Sequence, residues 1–246
     1  MSISAPLPPP VVLSIGVTGH RISNAAFSAN RIRIEQVLIG IMERIAAAAT
    51  TATAPIRLHS LLTDGVDQIA ARHALDHGWE LVAPLPFGRD LNVAINALPE
   101  TVADAEALAA GQSASDPATE VRAAAIRELA AASRLFELAE RDALLHRLFI
   151  HKLAAPTDLH AAQAFAARCS ARVALAGRVL IEQSDLVIGV WDGVSRAFLG
   201  GTGHTISEAL EHGTPVIWID AKAPDDWQIL RAPEALATGG DRKSVV

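Results

Sequence analysis

The chain has 246 residues, of which 50 % are hydrophobic, a formal net charge of −6 and a pI near 5.8. This length suits one generous α/β domain, or a domain with a small appendage. The negative net charge argues against a broad electrostatic surface that binds nucleic acid, because phosphate contacts need clustered Lys and Arg. The single cysteine, Cys169, excludes an intramolecular disulfide and a cysteine-based metal cluster.

The alternation of strand and helix signals predicts the fold class. Short apolar runs predict strands at residues 11–18, 56–62, 79–87, 134–138, 185–191 and 215–220, and a helix stays open as the alternative at 134–138. One-face apolar spacing predicts helices around residues 34–45, at 66–77, from about Asp116 and Pro117 onward, at 160–183 and at 204–212. Five or six strands in this order indicate an α/β fold, a Rossmann-like doubly wound and mainly parallel sheet with helices on both faces.

The ends of the chain differ in composition from this central domain, which we predict at residues 11–220 with a helical insertion at about 88–158. Residues 1–10 are rich in proline and lack the pattern of a signal peptide, so we expect a disordered tail. Residues 221–246 are interpreted as a C-terminal linker that can lead to a downstream region. No uncharged apolar run reaches the ~18 to 20 residues that span a bilayer, and the predicted location is the cytoplasm.

Three glycine-bearing segments follow strands of the predicted sheet. They are "VTGHRIS" at residues 17–23, "SLLTDGVDQIAARHAL" at 60–75 and "GGTGHTISE" at 200–208. In an open parallel sheet, ligands bind beyond the carboxyl ends of the strands, where loops lead into helix N-termini. We therefore expect the three loops to converge on one edge of the sheet.

The third loop carries the strongest signal of a ligand site. A turn with one glycine is ordinary between a strand and a helix, and for the first two segments a purely structural role stays equally open. The third segment holds Gly200, Gly201 and Gly203, although each glycine in regular structure costs roughly 0.5 to 1 kcal/mol. This density favours a loop whose backbone N–H groups approach an anion at the start of the next helix.

The candidate ligand-binding residues come from the three loops and from the end of the strand before the third loop. They are Thr18, Gly19, His20, Arg21, Ser60, Gly65, Asp67, Asp192, Gly200, Gly201, Thr202, Gly203 and Thr205. Arg21 would bind a phosphate. Asp67 would orient the first two loops or accept a hydrogen bond from a ribose hydroxyl. His20 and His204 are too isolated to indicate a metal site, so we expect neither a metal nor a cofactor.

The three segments together resemble the SLOG superfamily, a Rossmann-like group that unites the DNA-processing protein A family with the Lonely Guy phosphoribohydrolases. The resemblance extends over about residues 11–220, and "VTGHRIS" resembles the first phosphate-facing loop of the superfamily. "SLLTDGVDQIAARHAL" is similar to the "SGxAxGID" segment of the DNA-processing family. Its matching residues are Ser60, Gly65 and Asp67, and its departures are Leu61 and Ala71.

The third loop resembles the "PGGxGTxxE" signature of the Lonely Guy enzymes. Leu199 stands where that family has proline, and His204 adds one residue before Thr205. The catalytic glutamate of the family corresponds to Glu208 if the loop accommodates the added residue without shifting the helix that follows. The whole series of motifs is most similar to a less characterised bacterial branch. That resemblance implies the sensing or processing of nucleotide-derived ligands, sometimes in front of a membrane or effector segment.

Four functions stay open from the sequence. The leading hypothesis is a domain that binds, and so senses, a nucleotide or nucleotide derivative. The second is a hydrolase of the N-glycosidic bond in nucleoside 5′-monophosphates, with Glu208 as the catalytic carboxylate and Arg21 as the phosphate anchor. The third is binding of single-stranded DNA, which the acidity and the aromatic content of 4 % disfavour. The fourth is a purely structural protein, and a homodimer is compatible with each, since no apolar stripe decides the oligomeric state.

Overall fold

The structure, a computed structural model, describes residues 11–51, 54–138, 142–194 and 199–236. The strands are β1 (Leu13–Gly19), β2 (Ile56–His59), β3 (Glu80–Leu85), β4 (Arg134–Glu137), β5 (Leu186–Trp191), β6 (Val216–Asp220) and β7 (Ala223–Leu230). The helices are α1 (Ala25–Thr51), α2 (Val66–Asp76), α3 (Arg89–Asn96), α4 (Val102–Ala109), α5 (Pro117–Ala131), α6 (Ala143–Ala154), α7 (Leu159–Glu182) and α8 (Thr202–Glu211). The tail predicted at residues 1–10 lies outside the described residues.

The strands form one sheet in the order β4-β3-β2-β1-β5-β6-β7, and every described pair except β6 with β7 is parallel. The predicted fold class is therefore confirmed. From β1 the chain adds β2, β3 and β4 on one side, and then crosses back to place β5 on the other side of β1. This reversal makes the gap between β1 and β5 the topological switch point, which is where open α/β sheets bind ligands.

Alternate residues of β1 explain why helices cover both faces of the sheet. Ile15 and Val17 are fully buried in one apolar cluster with Phe27 of α1. On the opposite face, a Cβ atom at Gly16 would lie 2.5 Å from the side chain of Leu180 in α7. The missing side chain at Gly16 therefore lets α7 pack directly on the central strand.

The C-terminal segment differs from its prediction as a linker. Residues Ala223–Leu230 form β7, which pairs with β6 in antiparallel register and brings the number of described strands to seven. Leu230 is buried, and Arg33 of α1 forms an ion pair with Asp225 of the strand. The linker interpretation is wrong for Ala223–Leu230, because cross-strand pairing and these contacts outweigh the turn-like composition of "APDD". Residues 237–246 lie outside the described residues.

The region from residue 88 to 158 contains α3, α4, α5 and α6, and it also contributes β4 to the edge of the sheet. These helices, together with Phe87 and with Phe165 of α7, form a second apolar cluster, with Leu91, Leu108 and Phe149 among its buried members. Asp116 caps α5 by accepting a hydrogen bond from the backbone N–H of Thr119. Among the helices of the described ranges, none combines the length and the apolar character that crossing a bilayer demands.

Candidate functional site

A cavity of about 670 Å³ opens at the carboxyl ends of β1 and β5, at the switch point of the sheet. Its lining comes from the loops after β1, β2 and β5, from the start of α8 and from one side of α7. Ten of the predicted site residues lie in this lining. They are Thr18, Gly19, His20, Arg21, Asp67, Asp192, Gly200, Gly201, Thr202 and Gly203.

Three other predicted residues lie behind the lining and build the loops. The hydroxyl of Ser60 is buried and accepts a hydrogen bond from the backbone N–H of Leu62. Gly65 has a φ of +88°, and a Cβ atom there would lie 2.5 Å from the carbonyl oxygen of His20. Thr205 donates its hydroxyl to the carbonyl oxygen of Gly201, 3.2 Å away. These residues hold the loops that carry the lining.

The start of α8 forms one wall of the cavity. Gly201 is the N-cap residue, and no side chain caps the helix. Gly200 has a φ of +75°, and a Cβ atom there would lie 2.8 Å from the carbonyl oxygen of Ser170 in α7. Glycine at this position lets the loop lie against α7 and leaves the first turn of α8 beside the cavity. The partial positive charge of a helix N-terminus favours an anion there.

Arg21 brings a full positive charge to the cavity. Its Nη2 atom donates a hydrogen bond to Oδ1 of Asn96 at 3.0 Å, and its Nη1 atom lies 3.8 Å from Asp64. Asn96 is buried and in turn donates to the carbonyl oxygen of Asn92. The side chain of Arg21 is 39 % exposed, so the guanidinium group is positioned by α3 and still reaches a ligand. A guanidinium group is well suited to bind a phosphate through two parallel hydrogen bonds.

Two carboxyl groups of the lining have opposite electrostatic environments. Burial raises the pKa of Asp67 to about 7, against the lowering effects of Thr63 and Arg21. Burial also raises the pKa of Asp192, but the hydrogen bond from the Val194 N–H and the nearby His20 outweigh it and hold the pKa below its usual range. Asp192 is therefore the carboxylate of the cavity at neutral pH, and Asp67 is the carboxyl group that titrates.

His20 joins the loop after β1 to the end of β5. The backbone N–H of Asp192 donates a hydrogen bond to Nε2 of His20 at 3.0 Å. The same nitrogen lies 3.2 Å from Oδ1 of Asp192. These contacts hold the two loops together on either side of the switch point. Among the residues that the structure describes, no group of three or more His, Cys, Asp or Glu side chains is placed to hold a metal ion.

The wall from α7 is absent from the residues that the sequence predicts. Ala166, Cys169, Ser170 and Val173 line the cavity at the three- and four-residue spacing of one helix face. Burial raises the pKa of the Cys169 thiol to about 12, so the thiol stays protonated. The sequence marks these residues as one face of a helix, but it contains no local signal that this face meets the third loop.

Glu208 does not line the cavity. The Nε and Nη2 atoms of Arg178 donate to its Oε1 atom at 2.9 and 2.8 Å, and only 8 % of the residue is exposed. Arg178 belongs to α7, so the carboxylate lies between α7 and α8. A Cβ atom at Gly177 of α7 would lie 3.4 Å from Oγ1 of Thr205, one turn before Glu208. The face of α8 that bears Thr205 and Glu208 therefore packs on α7.

A second cavity, of about 620 Å³, lies among the helices of the 88–158 region. Its described lining contains the carboxyl groups of Asp90, Glu106, Glu137 and Asp142 and the guanidinium group of Arg89, and Asp142 also pairs with Arg168 and Arg172 of α7. His146 lies 3.3 Å from Glu106 in the same lining. The excess of negative charge disfavours an anionic ligand, so the cavity at the switch point is the better candidate for a phosphate.

Comparisons with known proteins return solved structures that align with most of this chain. One is the X-ray structure of TM1055, a structural genomics target, with a TM-score of 0.40 and 13 % identity over 86 % of this chain and 76 % of that one. Another is DNA processing protein A from Streptococcus pneumoniae, with a TM-score of 0.42 and 13 % identity. The match covers 92 % of this chain and 61 % of that protein. No protein-family model and no curated protein matches the chain.

Proposed function

We propose that the protein binds a nucleotide or a nucleotide derivative in the cavity between β1 and β5. The observation that carries this proposal is that the uncapped N-terminus of α8 and the guanidinium group of Arg21 border one cavity. Backbone N–H groups of a helix start and a preoriented arginine are both phosphate ligands. The phosphate then lies beside Thr202 and Gly203 and pairs with Arg21.

The rest of the lining suits the nucleoside part of such a ligand. A volume of about 670 Å³ falls in the range of small-molecule sites. Val173, Val194 and Leu199 offer apolar surface to a base. The carboxylate of Asp192 accepts hydrogen bonds, which a ribose hydroxyl donates. One cavity therefore offers complementary groups to the phosphate, the sugar and the base.

The proposed role is recognition of the ligand, as in a sensor domain. The alternative of N-glycosidic hydrolysis depends on Glu208, and this carboxylate is engaged by Arg178 outside the lining. The protonated thiol of Cys169 is a poor nucleophile. Binding of single-stranded DNA needs a basic groove with stacking aromatic side chains, and among the described lining residues Arg21 is the only lysine or arginine.

A calorimetric and thermal-shift panel tests the proposal. It contains nucleoside mono- and diphosphates, ADP-ribose and cyclic nucleotides, each titrated into the folded protein. At least one member is expected to bind and to raise the melting temperature, because a ligand that binds the native state alone stabilises it. Incubation with nucleoside monophosphates is expected to release no free base. Folded protein that binds no member of the panel contradicts the proposal, and release of base supports the hydrolase instead.

A further inference from the structure

Asp67 presents a carboxyl group to the cavity from the interior of the protein. The residue lies in the first turn of α2, is only 3 % exposed and still belongs to the cavity lining. The backbone N–H of Thr63 lies 3.4 Å from Oδ2, which is a long hydrogen bond. The nearest cation of the lining, Arg21, pairs with Asp64 and Asn96 instead. Within the described part of the chain, Asp67 thus faces the ligand space without an ion pair of its own.

We propose that Asp67 takes up a proton when a phosphate-bearing ligand enters this cavity, so that the ligand and the proton bind together. The inference rests on the proposed nucleotide site and goes beyond it, because it assigns to one residue a pH dependence of binding. Asp67 would then act on the ligand as a hydrogen-bond donor through its protonated carboxyl group, in addition to any acceptor role.

The surroundings of Asp67 hold its pKa where the binding of a ligand can change its protonation at neutral pH. Burial is the dominant influence and raises the pKa to about 7, while hydrogen bonds from Thr63 and the charge of Arg21 lower it and the charge of Asp64 raises it. The other titratable groups of the lining are the joined pair of His20 and Asp192, on the loops after β1 and β5, and the Cys169 thiol of α7. The cavity therefore contains one carboxyl group that is close to half-protonated at neutral pH.

A bound phosphate changes two of these influences in the same direction. It pairs with Arg21 and so cancels the positive charge that favours ionised Asp67. It also adds negative charge to the cavity, which disfavours a second anion nearby. Both changes raise the pKa of Asp67 in the complex. By linkage, a proton that binds more tightly in the complex also makes the ligand bind more tightly.

The sign of the pH dependence follows directly. Below about pH 7 the carboxyl group is already protonated and binding is strongest. Above this value the proton must be taken from solution, so affinity falls by up to about tenfold per pH unit until the pKa of the complex is passed. A ligand held only by fixed charges has no such dependence.

Proton counting by calorimetry tests the inference. ADP-ribose is the first probe, because its pyrophosphate is esterified at both ends and has no ionisation near neutral pH, and adenosine 5′-monophosphate is the second. Titrations near pH 7.5 in buffers of different ionisation enthalpy are expected to show uptake of about half a proton or more by the wild type. The Asp67→Asn variant lacks this carboxyl group, so it is expected to take up fewer protons than the wild type, by about half a proton or more. The control, Asp76→Asn, changes an exposed carboxylate of the same helix and is expected to match the wild type.

The outcomes separate this inference from the proposed function. Nucleotide binding with the same proton count in the wild type and in Asp67→Asn overturns the inference and leaves the binding site standing. No binding by any nucleotide overturns both. If Asp67→Asn does not fold, ¹³C NMR of aspartate carboxyl groups in the wild type decides. A midpoint for Asp67 near pH 7 that rises with ligand is expected, and a midpoint below about pH 5 that ligand does not move overturns the inference.

Discussion

Arg178 and Glu208 join α7 to α8 through hydrogen bonds of 2.9 and 2.8 Å from the guanidinium group to one carboxylate oxygen. The pair lies on the face of α8 that packs on α7, whereas Thr202 and Gly203 at the start of the same helix line the cavity. The groups of α8 that line the cavity thus belong to its first turn, whereas Glu208 contacts α7 one turn later. This separation assigns Glu208 to the attachment of α8.

The Glu208→Gln variant is therefore expected to bind nucleotides nearly as the wild type does. The dissociation constant should stay within about twofold, because the altered group does not line the cavity. Isothermal titration calorimetry with the best ligand of the panel measures it. The melting temperature should fall, since the charge-assisted bonds to Arg178 are weakened. A large loss of affinity with an unchanged melting temperature would return Glu208 to the site.

The Arg21→Gln variant is expected to lose affinity for phosphate-bearing ligands by about 10- to 100-fold, the worth of a charge-assisted hydrogen bond of about 1.5 to 3 kcal/mol. Its affinity for the corresponding nucleoside, which has no phosphate, should change little. The matched control is Arg72→Gln, which removes an exposed arginine from α2. Equal affinities of Arg21→Gln and the wild type for a nucleotide would show that the phosphate lies elsewhere.

The Gly200→Ala variant is expected to destabilise the fold by about 1 to 3 kcal/mol and to weaken nucleotide binding. The added Cβ atom would lie 2.8 Å from the carbonyl oxygen of Ser170, at a φ of +75° that alanine adopts only with strain. Chemical denaturation measures the stability. The control, Gly40→Ala, is expected to be neutral or stabilising, because that glycine lies inside α1 with nothing within 4 Å of a Cβ atom. Equal stability of the two variants would contradict the close approach of the loop to α7.

The buried ring of His59 in β2 is expected to lower the stability of the fold in acid. Neither of its ring nitrogens has a hydrogen-bond partner among the described residues, and burial lowers its pKa to about 4. Because the pKa in the unfolded chain is higher, near 6.5, the unfolded chain binds more protons. The contribution is complete above about pH 6.5, and about 3 kcal/mol is lost as pH falls to about 4.

Denaturation of His59→Leu beside the wild type isolates this contribution. The raised pKa of Asp67 acts in the opposite direction, since its share of stability is present at low pH and is lost as pH rises towards 7. The quantity to compare is therefore the difference in stability between variant and wild type. Between pH 7 and pH 4.5, the free energy of unfolding of His59→Leu should rise relative to that of the wild type by about 2 to 3 kcal/mol. The control, His160→Leu, changes an exposed histidine and should show no such rise. A constant difference for His59→Leu would contradict a neutral, buried ring.

Most of the sheet could be predicted because each of these strands is marked by a short local pattern in the sequence. The β-branched runs before "GHRIS" and "DGVSR" are short, apolar and ended by glycine, and they appear as β1 and β5. β7 could not be recognised in the same way. After Ala223 it continues with Pro224, Asp225 and Asp226, residues that avoid strands. It is stabilised by pairing with β6 and by contact with Arg33, which lies near the other end of the sequence.

The candidate site shows the same division between local and tertiary signals. Glycine density identified the loop at Gly200, and the position of Arg21 after a strand identified the cation. The α7 wall and the support of Arg21 by Asn96 join segments that are far apart in sequence, so no local pattern marks them. The resemblance to a motif predicts a catalytic role for Glu208. The direction of this side chain depends on how α8 is rotated against α7, which a motif does not encode.

The central claim is that the start of α8 and Arg21 hold the phosphate of a nucleotide. The most direct test is a backbone amide NMR titration of the assigned protein with the tightest ligand of the panel. The largest chemical-shift changes are expected at the amides of Thr202 and Gly203 and at the side-chain N–H groups of Arg21. Unchanged signals there, with the changes confined to the second cavity around Asp90 and His146, would contradict the claim.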